Sequence, residues 1–337
     1  MNVLIIGGTG VISTAIVDRL NEFGHDTTVY NRGLRPIRYK QAVHEIKGDK
    51  KDEAAFIAEM KNRRFDAVID MISFNPKDAA VTLGAFKDHD THFVFTSTVA
   101  VHKRPFKNAE RIQETYETWD TEEYYPYGFH KARMEDFLNG QMLSGRKITI
   151  IRPSLTYGLG SKNIGVLRQN YGIVKRIQQG KPLIMFGDGT TPWEFTFALD
   201  LAKAYTGVLR RDVCYGQTYH ATSGDARIWD DLYLEFGKII GCEPKILHMS
   251  TEMLMAAAPE RISHIYQEKM WSGLYDNSKI KSHVPEFTCE YTLDKTLRAV
   301  YDWYMTDEQA RIVDKELDLL EDNLVHKYHQ CLKILAD

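Results

Sequence analysis

The chain has 337 residues, 43% of them hydrophobic and 26% charged, with a formal net charge of -3, which suits a globular protein of one large or two ordinary domains and gives no basic excess to draw in a polyanion. No apolar run approaches the roughly 20 residues of a membrane helix, and the apolar part of "MNVLIIGGTG" is too short for a signal peptide and runs straight into glycines, so a cytoplasmic protein is expected. Cys214, Cys242, Cys289 and Cys331 form no CxxC pair, and neither HExxH nor a Cys/His zinc spacing occurs, so free thiols in a reducing compartment and no metal are expected.

From the N-terminus, "NVLII" reads as a strand, "GGTGVIS" as a glycine turn, and "TAIVDRLNEFGH" as a helix, because Ile12, Ala15, Ile16 and Leu20 recur at helical spacing. Gly24 stops that helix and "TTVYN" forms a second strand. A strand, a glycine-rich turn and a helix are the elements that hold a dinucleotide pyrophosphate. The glycines let the backbone approach, and the helix N-terminus presents unpaired N–H groups. The turn offers Gly7, Thr9, Gly10, Val11 and Ile12, with Ser13 where a third glycine or alanine is usual. An ordinary tight turn is the alternative. At the end of the second strand an acidic residue grips a ribose 2′-hydroxyl, whereas arginine accommodates a 2′-phosphate. Here Asn31 and Arg32 are followed by Arg35, Arg38 and Lys40, which favours NADP over NAD unless these cations merely form a solvated loop.

The pattern continues with "AVHEIKGD" as strand three, "DEAAFIAEMKNRR" as a helix, "FDAVIDMIS" as strand four and "HFVFTSTVAV" as strand five. Strands alternating with helices imply an α/β fold with a doubly wound parallel sheet of Rossmann type, whose ligands bind beyond the carboxyl ends of the strands. Thr98 falls at that mouth. Asp70, closing strand four inside an apolar run, needs partners if buried and reads as a cap or amide acceptor rather than a catalyst. In "YPYGFHK", Tyr127 and Lys131 are four residues apart and share a helix face. A free tyrosine loses its proton near pH ~10. A neighbouring ammonium and a cationic nicotinamide would favour the phenolate, letting Tyr127 move a proton while Thr98 holds the substrate oxygen. By spacing alone the pair reads more readily as an ordinary helix surface.

Taken together, these motifs in this order resemble the extended short-chain dehydrogenase/reductases of the NAD-dependent epimerase/dehydratase family. The matching segments are "GGTGVIS", "KGD", "FTSTVAV", "YGFHK", "IRPSLTYG", "FGDGTTPWEFTFALDLAKA", "YDNSKIK" and "LRAVYDWY", and the resemblance extends to about residue 305. It implies that Thr98 orients the substrate hydroxyl, Tyr127 is the general acid/base, and Lys131 holds the nicotinamide ribose and lowers the tyrosine pKa. It also implies an adenine contact at Asp49 and a strand and turn beside the nicotinamide at Pro153 and Ser154. The implied activity is hydride transfer on a secondary alcohol of a sugar or nucleotide-sugar-like substrate, as net oxidoreduction or as epimerisation.

Departures from the family pattern narrow the substrate. Val99 and Ala100 stand where dehydratases carry Asp-Glu, which disfavours dehydration. Trp193 precedes Glu194 where UDP-sugar epimerases carry an arginine to grip the diphosphate. Trp193 is therefore expected to stack on substrate, with a core aromatic as the alternative. A second arginine expected about ten residues before "YDNSK" is missing, with Glu268 and Lys269 nearby, which leaves Arg168, Lys175 or Arg176 as candidates for a diphosphate. "YNRG" and "VIDMISFNPKDA" look most like the chloroplast stem-loop binding protein-like branch. The runner-up is therefore an RNA-binding protein on a dehydrogenase scaffold, against which the net charge and the intact Thr/Tyr/Lys set speak.

The expected organisation is a dinucleotide-binding domain over residues 1–160, to which the chain returns around 194–222, and a smaller C-terminal lobe over 161–337. Beyond Tyr304, Val313, Leu317, Leu320, Leu324, Tyr328 and Leu335 recur at three-, four- or seven-residue intervals, which predicts an amphipathic helix packed on that lobe or forming a homodimer seam. A small-molecule substrate is the expected partner, with no nucleic acid and no membrane.

Overall fold

The computed structural model describes residues 1–34, 39–107 and 110–336. Short apolar runs become the strands β1 (Asn2–Ile6), β2 (Asp26–Asn31), β3 (His44–Lys47), β4 (Ala67–Asp70), β5 (His92–Thr96) and β6 (Ile148–Pro153), with the strand Gln217–Ala221 completing one sheet. Its order is Gln217–Ala221, β6, β5, β4, β1, β2, β3, and every pairing is parallel. In β1 the alternating side chains divide between two cores. Val3 and Ile5 pack with α1 (Val11–Glu22) and with the later helix Ala198–Gly207, while Leu4 and Ile6 face α2 (Glu53–Met60), α3 (Pro76–Ala85) and α4 (Pro126–Leu143). A strand buried on both faces is apolar throughout, as expected of a parallel sheet covered on each side.

The order reverses between β1 and β4, so the loops after these strands open the crevice where ligands of such sheets bind. The two loops touch: a Cβ at Gly7, whose φ is +87°, would lie 2.3 Å from Ile72 Cγ2. Strand five is shorter than its sequence suggests, ending at Thr96. Thr98 instead caps a single 3-10 turn, Val99–Val101, its Oγ1 accepting from the Ala100 amide at 3.1 Å.

The smaller lobe has its own core, in which Trp193, Trp229, Phe236, Leu297, Leu317 and Leu324 are buried together. It contains a parallel pair, Pro182–Phe186 with Lys245–Met249, and an antiparallel pair, Pro192–Glu194 with Ala226–Ile228. The C-terminal helix Lys315–Ala336 docks on this lobe through a charge cluster. Arg176, 1% exposed, bonds Asp318 Oδ1 at 2.6 Å and Asp322 Oδ1 at 2.8 Å, and its Nε lies 3.4 Å from Glu321 Oε2. Leu317 and Leu324 of the anticipated stripe are buried there, whereas Leu335 is 82% exposed because the end of the helix projects beyond the lobe. Among the described residues no helix is long and apolar enough to cross a membrane, and no group of three or more His, Cys, Asp or Glu is placed to hold a metal.

Candidate active site

The proline at the start of α4 sets the site. Pro126 occupies the first helical turn, where its missing N–H costs nothing, and Tyr127 follows it on the first turn with Lys131 one turn later. Gly128 lets this helix approach the turn after β5, since a Cβ there would lie 2.4 Å from the Ala100 carbonyl oxygen and 2.7 Å from Trp119. That approach brings Thr98, on the turn after β5, near enough to Tyr127 to act on its phenol. A further turn along, Glu135 is clamped to β6 by Arg152, whose Nε lies 2.9 and 3.1 Å from its two carboxylate oxygens. The helix face carrying Tyr127 and Lys131 is thereby fixed to the sheet.

Lys131 is 2% exposed and donates to the Ser73 and Thr96 backbone carbonyls, both at 2.7 Å. Its ammonium lies 4.7 Å from the centre of the Phe74 ring, which is itself 6.4 Å from the Tyr127 ring. Burial lowers the Lys131 amine to about 8, with Asp70 and Glu135 acting in the opposite sense. Tyr127 departs from expectation. Burial of its hydroxyl end and the Glu268 carboxylate push the phenol up to about 12, and Thr98 only partly offsets them. The anticipated lowering by Lys131 is not the controlling effect, because the ammonium is turned toward two carbonyls.

Beneath Lys131 lies a buried ionic cluster. Asp70, 1% exposed, accepts from Lys50 Nζ at 2.7 Å, Ser73 Oγ at 2.7 Å and Thr82 Oγ1 at 2.5 Å, and from the Ile72 and Ser73 amides at 2.9 and 2.8 Å. Lys50 also reaches Ser73 Oγ at 2.6 Å. Five donors on one carboxylate explain why it tolerates burial. Ser73 links the two cations, one through its hydroxyl and the other through its carbonyl.

The nucleotide turn lies across the crevice. Gly10 precedes α1 in extended conformation, offers no side chain of its own to cap the helix, and its first turn holds no acidic residue. The amides there face no competing carboxylate, and the positive φ of Gly7, with Ile72 packed against it, requires glycine at that point of the turn. This is the cradle a pyrophosphate requires, so the residues fit a dinucleotide. Ser13, in the unusual third position, turns its hydroxyl back onto the turn, accepting from the Gly10 amide at 2.8 Å and donating to the Gly10 carbonyl at 3.1 Å.

Other anticipated contacts occupy the same rim. Asn31 ends β2, its amide donating to Glu45 Oε1 at 3.1 Å and its carbonyl accepting from the Gly33 amide at 2.6 Å. Arg32 and Asp49 are exposed beyond β2 and β3, while Arg35 and Arg38 lie outside the described residues. Pro153 closes β6, and the Ser154 hydroxyl is committed to the Glu194 carbonyl at 2.9 Å and Thr196 Oγ1 at 2.7 Å.

Two substrate expectations need correction. Trp193 is 0% exposed, 5.9 Å from the Trp229 ring, and covered by Gly273, where a Cβ would lie 2.2 Å from the indole. It is a core aromatic with no free face for a sugar. Arg176 is spent on the C-terminal helix and cannot reach a diphosphate, while Arg168 and Lys175 remain exposed. Sequence reasoning passed over Lys50, Ser73 and Phe74. Ser73 and Phe74 follow strand four at the reversal of strand order, where their position was a usable signal. Lys50 carried none beyond its place next to Asp49.

The NAD dependent epimerase/dehydratase family matches residues 3–220 of the chain. A 2'-dehydrokanamycin reductase of Streptomyces kanamyceticus is 24% identical over 94% of this chain and 88% of its own length. The chloroplast stem-loop binding protein of 41 kDa b of Arabidopsis thaliana is 22% identical over 96% of this chain and 83% of its own. Among solved structures, UDP-glucose 4-epimerase from Bifidobacterium longum, in complex with NAD+ and UDP, superposes with a TM-score of 0.74. It covers 92% of this chain and 100% of that one at 19% identity, a likeness of fold.

Proposed function

This chain belongs to the NAD dependent epimerase/dehydratase family, and from that premise we propose that it is a nicotinamide-dependent oxidoreductase interconverting a secondary alcohol and a ketone on a sugar-like molecule. The observation that carries the reading is the placement of Tyr127 on the first turn of α4 at the mouth of the crevice, one helical turn from a buried Lys131 that is fixed by the Ser73 and Thr96 carbonyls, with Thr98 on the facing turn. Gly7, Thr9, Gly10, Val11 and Ile12 would hold the pyrophosphate, Asp49 the adenine end, and Lys131 with Pro153 and Ser154 the nicotinamide end. The exposed Arg32 and Lys40 favour NADP over NAD. When bound, the nicotinamide supplies or accepts the hydride.

In reduction Thr98 donates to the substrate carbonyl oxygen, and Tyr127 delivers its proton to that oxygen as the carbon receives hydride, giving the alcohol. A phenol held up at about 12 keeps its proton at neutral pH, which suits the donor role in reduction. Oxidation, as in an epimerase cycle, needs the phenolate, which burial and then Glu268 disfavour. A cytoplasmic setting accords with the free thiols at all four cysteines.

The test is calorimetric titration of the purified protein with NAD+, NADH, NADP+ and NADPH after an absorbance scan for retained dinucleotide. Binding of a phosphorylated form in preference to its counterpart is expected. Cofactor retained through purification would favour the epimerase cycle, and no binding to any of the four would overturn the reading in favour of RNA binding on this scaffold.

A further inference from the structure

Above Tyr127 the smaller lobe contributes one turn of π-helix, Ile265–Lys269. Such turns are rare and often occur at functional sites. It is held against the segment before α4: Tyr124 donates its hydroxyl to the Tyr266 carbonyl at 3.1 Å, and Gln267 Nε2 donates to the Tyr124 carbonyl at 3.0 Å. The result is a carboxylate set among three tyrosines. Glu268, 6% exposed, acts electrostatically on Tyr125, Tyr127 and Tyr275.

The two donors that reach this carboxylate converge on one oxygen. Tyr125 donates to Oε2 at 3.2 Å, and Lys269 Nζ lies 2.9 Å from the same atom. Oε1 has no hydrogen bond among the described residues. The neighbouring cation does not supply one: Arg104 stacks on Phe106 at 3.9 Å and donates to the Tyr275 hydroxyl at 2.6 Å and the His102 carbonyl at 3.4 Å. Arg111, on the same side of the lobe, is bound to Glu194, the Tyr275 carbonyl and the Gly224 carbonyl. Oε1 is not among the fully buried polar atoms that lack a partner, so it keeps an edge toward solvent and stands as an open acceptor for a donor that enters the site.

We propose that Glu268 is a substrate-binding residue whose Oε1 accepts from an ammonium or hydroxyl beside the reacting carbon, so that the site takes an amino- or polyhydroxy-sugar and not a phosphorylated one. This rests on the oxidoreductase reading and names its substrate class. Lys269 offsets part of the charge but leaves Oε1 as an acceptor, and an anionic group placed here would face a carboxylate, with the neighbouring Arg104 turned to Phe106 and the Tyr275 hydroxyl. The tyrosines contribute aromatic faces and hydroxyls suited to a polyol.

The test uses the protein loaded with the dinucleotide it binds most tightly, titrated with glucosamine, glucose and UDP-glucose. Glucosamine is expected to bind tightest and UDP-glucose weakest. Glu268→Gln should weaken glucosamine by about tenfold or more, the scale of a lost hydrogen bond to a charged group, while dinucleotide affinity stays unchanged. Tighter binding of UDP-glucose than of glucosamine overturns the proposal, as does a glucosamine affinity that Glu268→Gln leaves intact, or binding of none of the three to the loaded protein. The order among the probes in the unmodified protein decides the matter if the variant fails to fold. Failure to load with any dinucleotide sinks the oxidoreductase reading instead.

Discussion

Replacing Lys50 with methionine keeps a long apolar stem and removes the ammonium, which isolates its effect on Asp70. The two side chains are 6% and 1% exposed, so the carboxylate is left charged in a dry environment with four of its five donors. Breaking a buried pair by removing one partner costs about 3–5 kcal/mol. The surviving hydroxyls and amides place Lys50→Met at the lower end, about 3 kcal/mol, or roughly 4 °C in melting temperature for a chain of this size. Asp70→Asn combined with Lys50→Met should cost less than the sum of the two single changes, because each alone strands the other group. The acid limb adds a second signature. Burial alone would raise the Asp70 carboxyl, but Lys50 and the hydrogen-bond donors hold it below its ordinary value. Its stabilisation is therefore present above the ordinary carboxylate pKa and is lost as pH falls through the depressed folded value. Without Lys50 that loss begins at higher pH. Urea titrations of the four proteins at several pH values measure all three effects. A loss below about 1 kcal/mol for Lys50→Met, or strict additivity in the double variant, would refute the claim that this pair holds the loop under Lys131.

Tyr127→Phe removes the proton donor and should lower the rate of ketone reduction by roughly 10²–10⁴-fold while leaving dinucleotide affinity intact, which separates its chemical role from a binding one. Gly128→Ala forces a Cβ to within 2.4 Å of the Ala100 carbonyl oxygen, so α4 must retreat from Thr98. Turnover should fall together with stability, and normal turnover would show that this close approach does not set the site. Burial raises the Glu321 carboxyl to about 7 against the pull of Arg176. A raised folded pKa gives stability that is present below the ordinary carboxylate value and is lost as pH rises toward about 7. Glu321→Gln keeps an acceptor for the Ile184 amide and Gln169, so it should flatten this slope and stabilise the protein near neutrality by on the order of 1–3 kcal/mol. An unchanged pH profile of unfolding would contradict that assignment.

How legible each part was in the sequence follows from the range of the interactions that set it. The strands β1 and β4 are apolar runs bounded by turn residues, and the glycine turn and Pro126 fix local backbone, so the doubly wound sheet and the start of α4 could be read from neighbouring residues alone. Tyr127 and Lys131 share a face for the same local reason. What could not be read is what those side chains meet. The pKa of Tyr127 depends on Glu268, 141 positions later, and the orientation of Lys131 depends on carbonyls at Ser73 and Thr96. Trp193 was misjudged because a turn aromatic next to a glutamate resembles a ligand platform in sequence, whereas Trp229 and Gly273 close over it only in the folded lobe. Arg176 was misjudged likewise, its carboxylate partners lying on a helix some 140 residues away.

The same distinction bears on the chemistry. The local motifs supply a fold and the proposed proton-transfer pair, and they leave open what the pair acts on and in which direction. Those choices rest on the long-range contacts, because the charge facing Tyr127 comes from the closing lobe and not from the helix that carries it. Glu268 raises the proton affinity of the tyrosine, and in the substrate-binding role proposed for it the same carboxylate faces the substrate. Substitution there should move the pH profile of reduction and the preference among substrates together, whereas a change confined to the nucleotide turn should move neither. A variant at Glu268 that changed only one of the two would show that the two effects have separate origins.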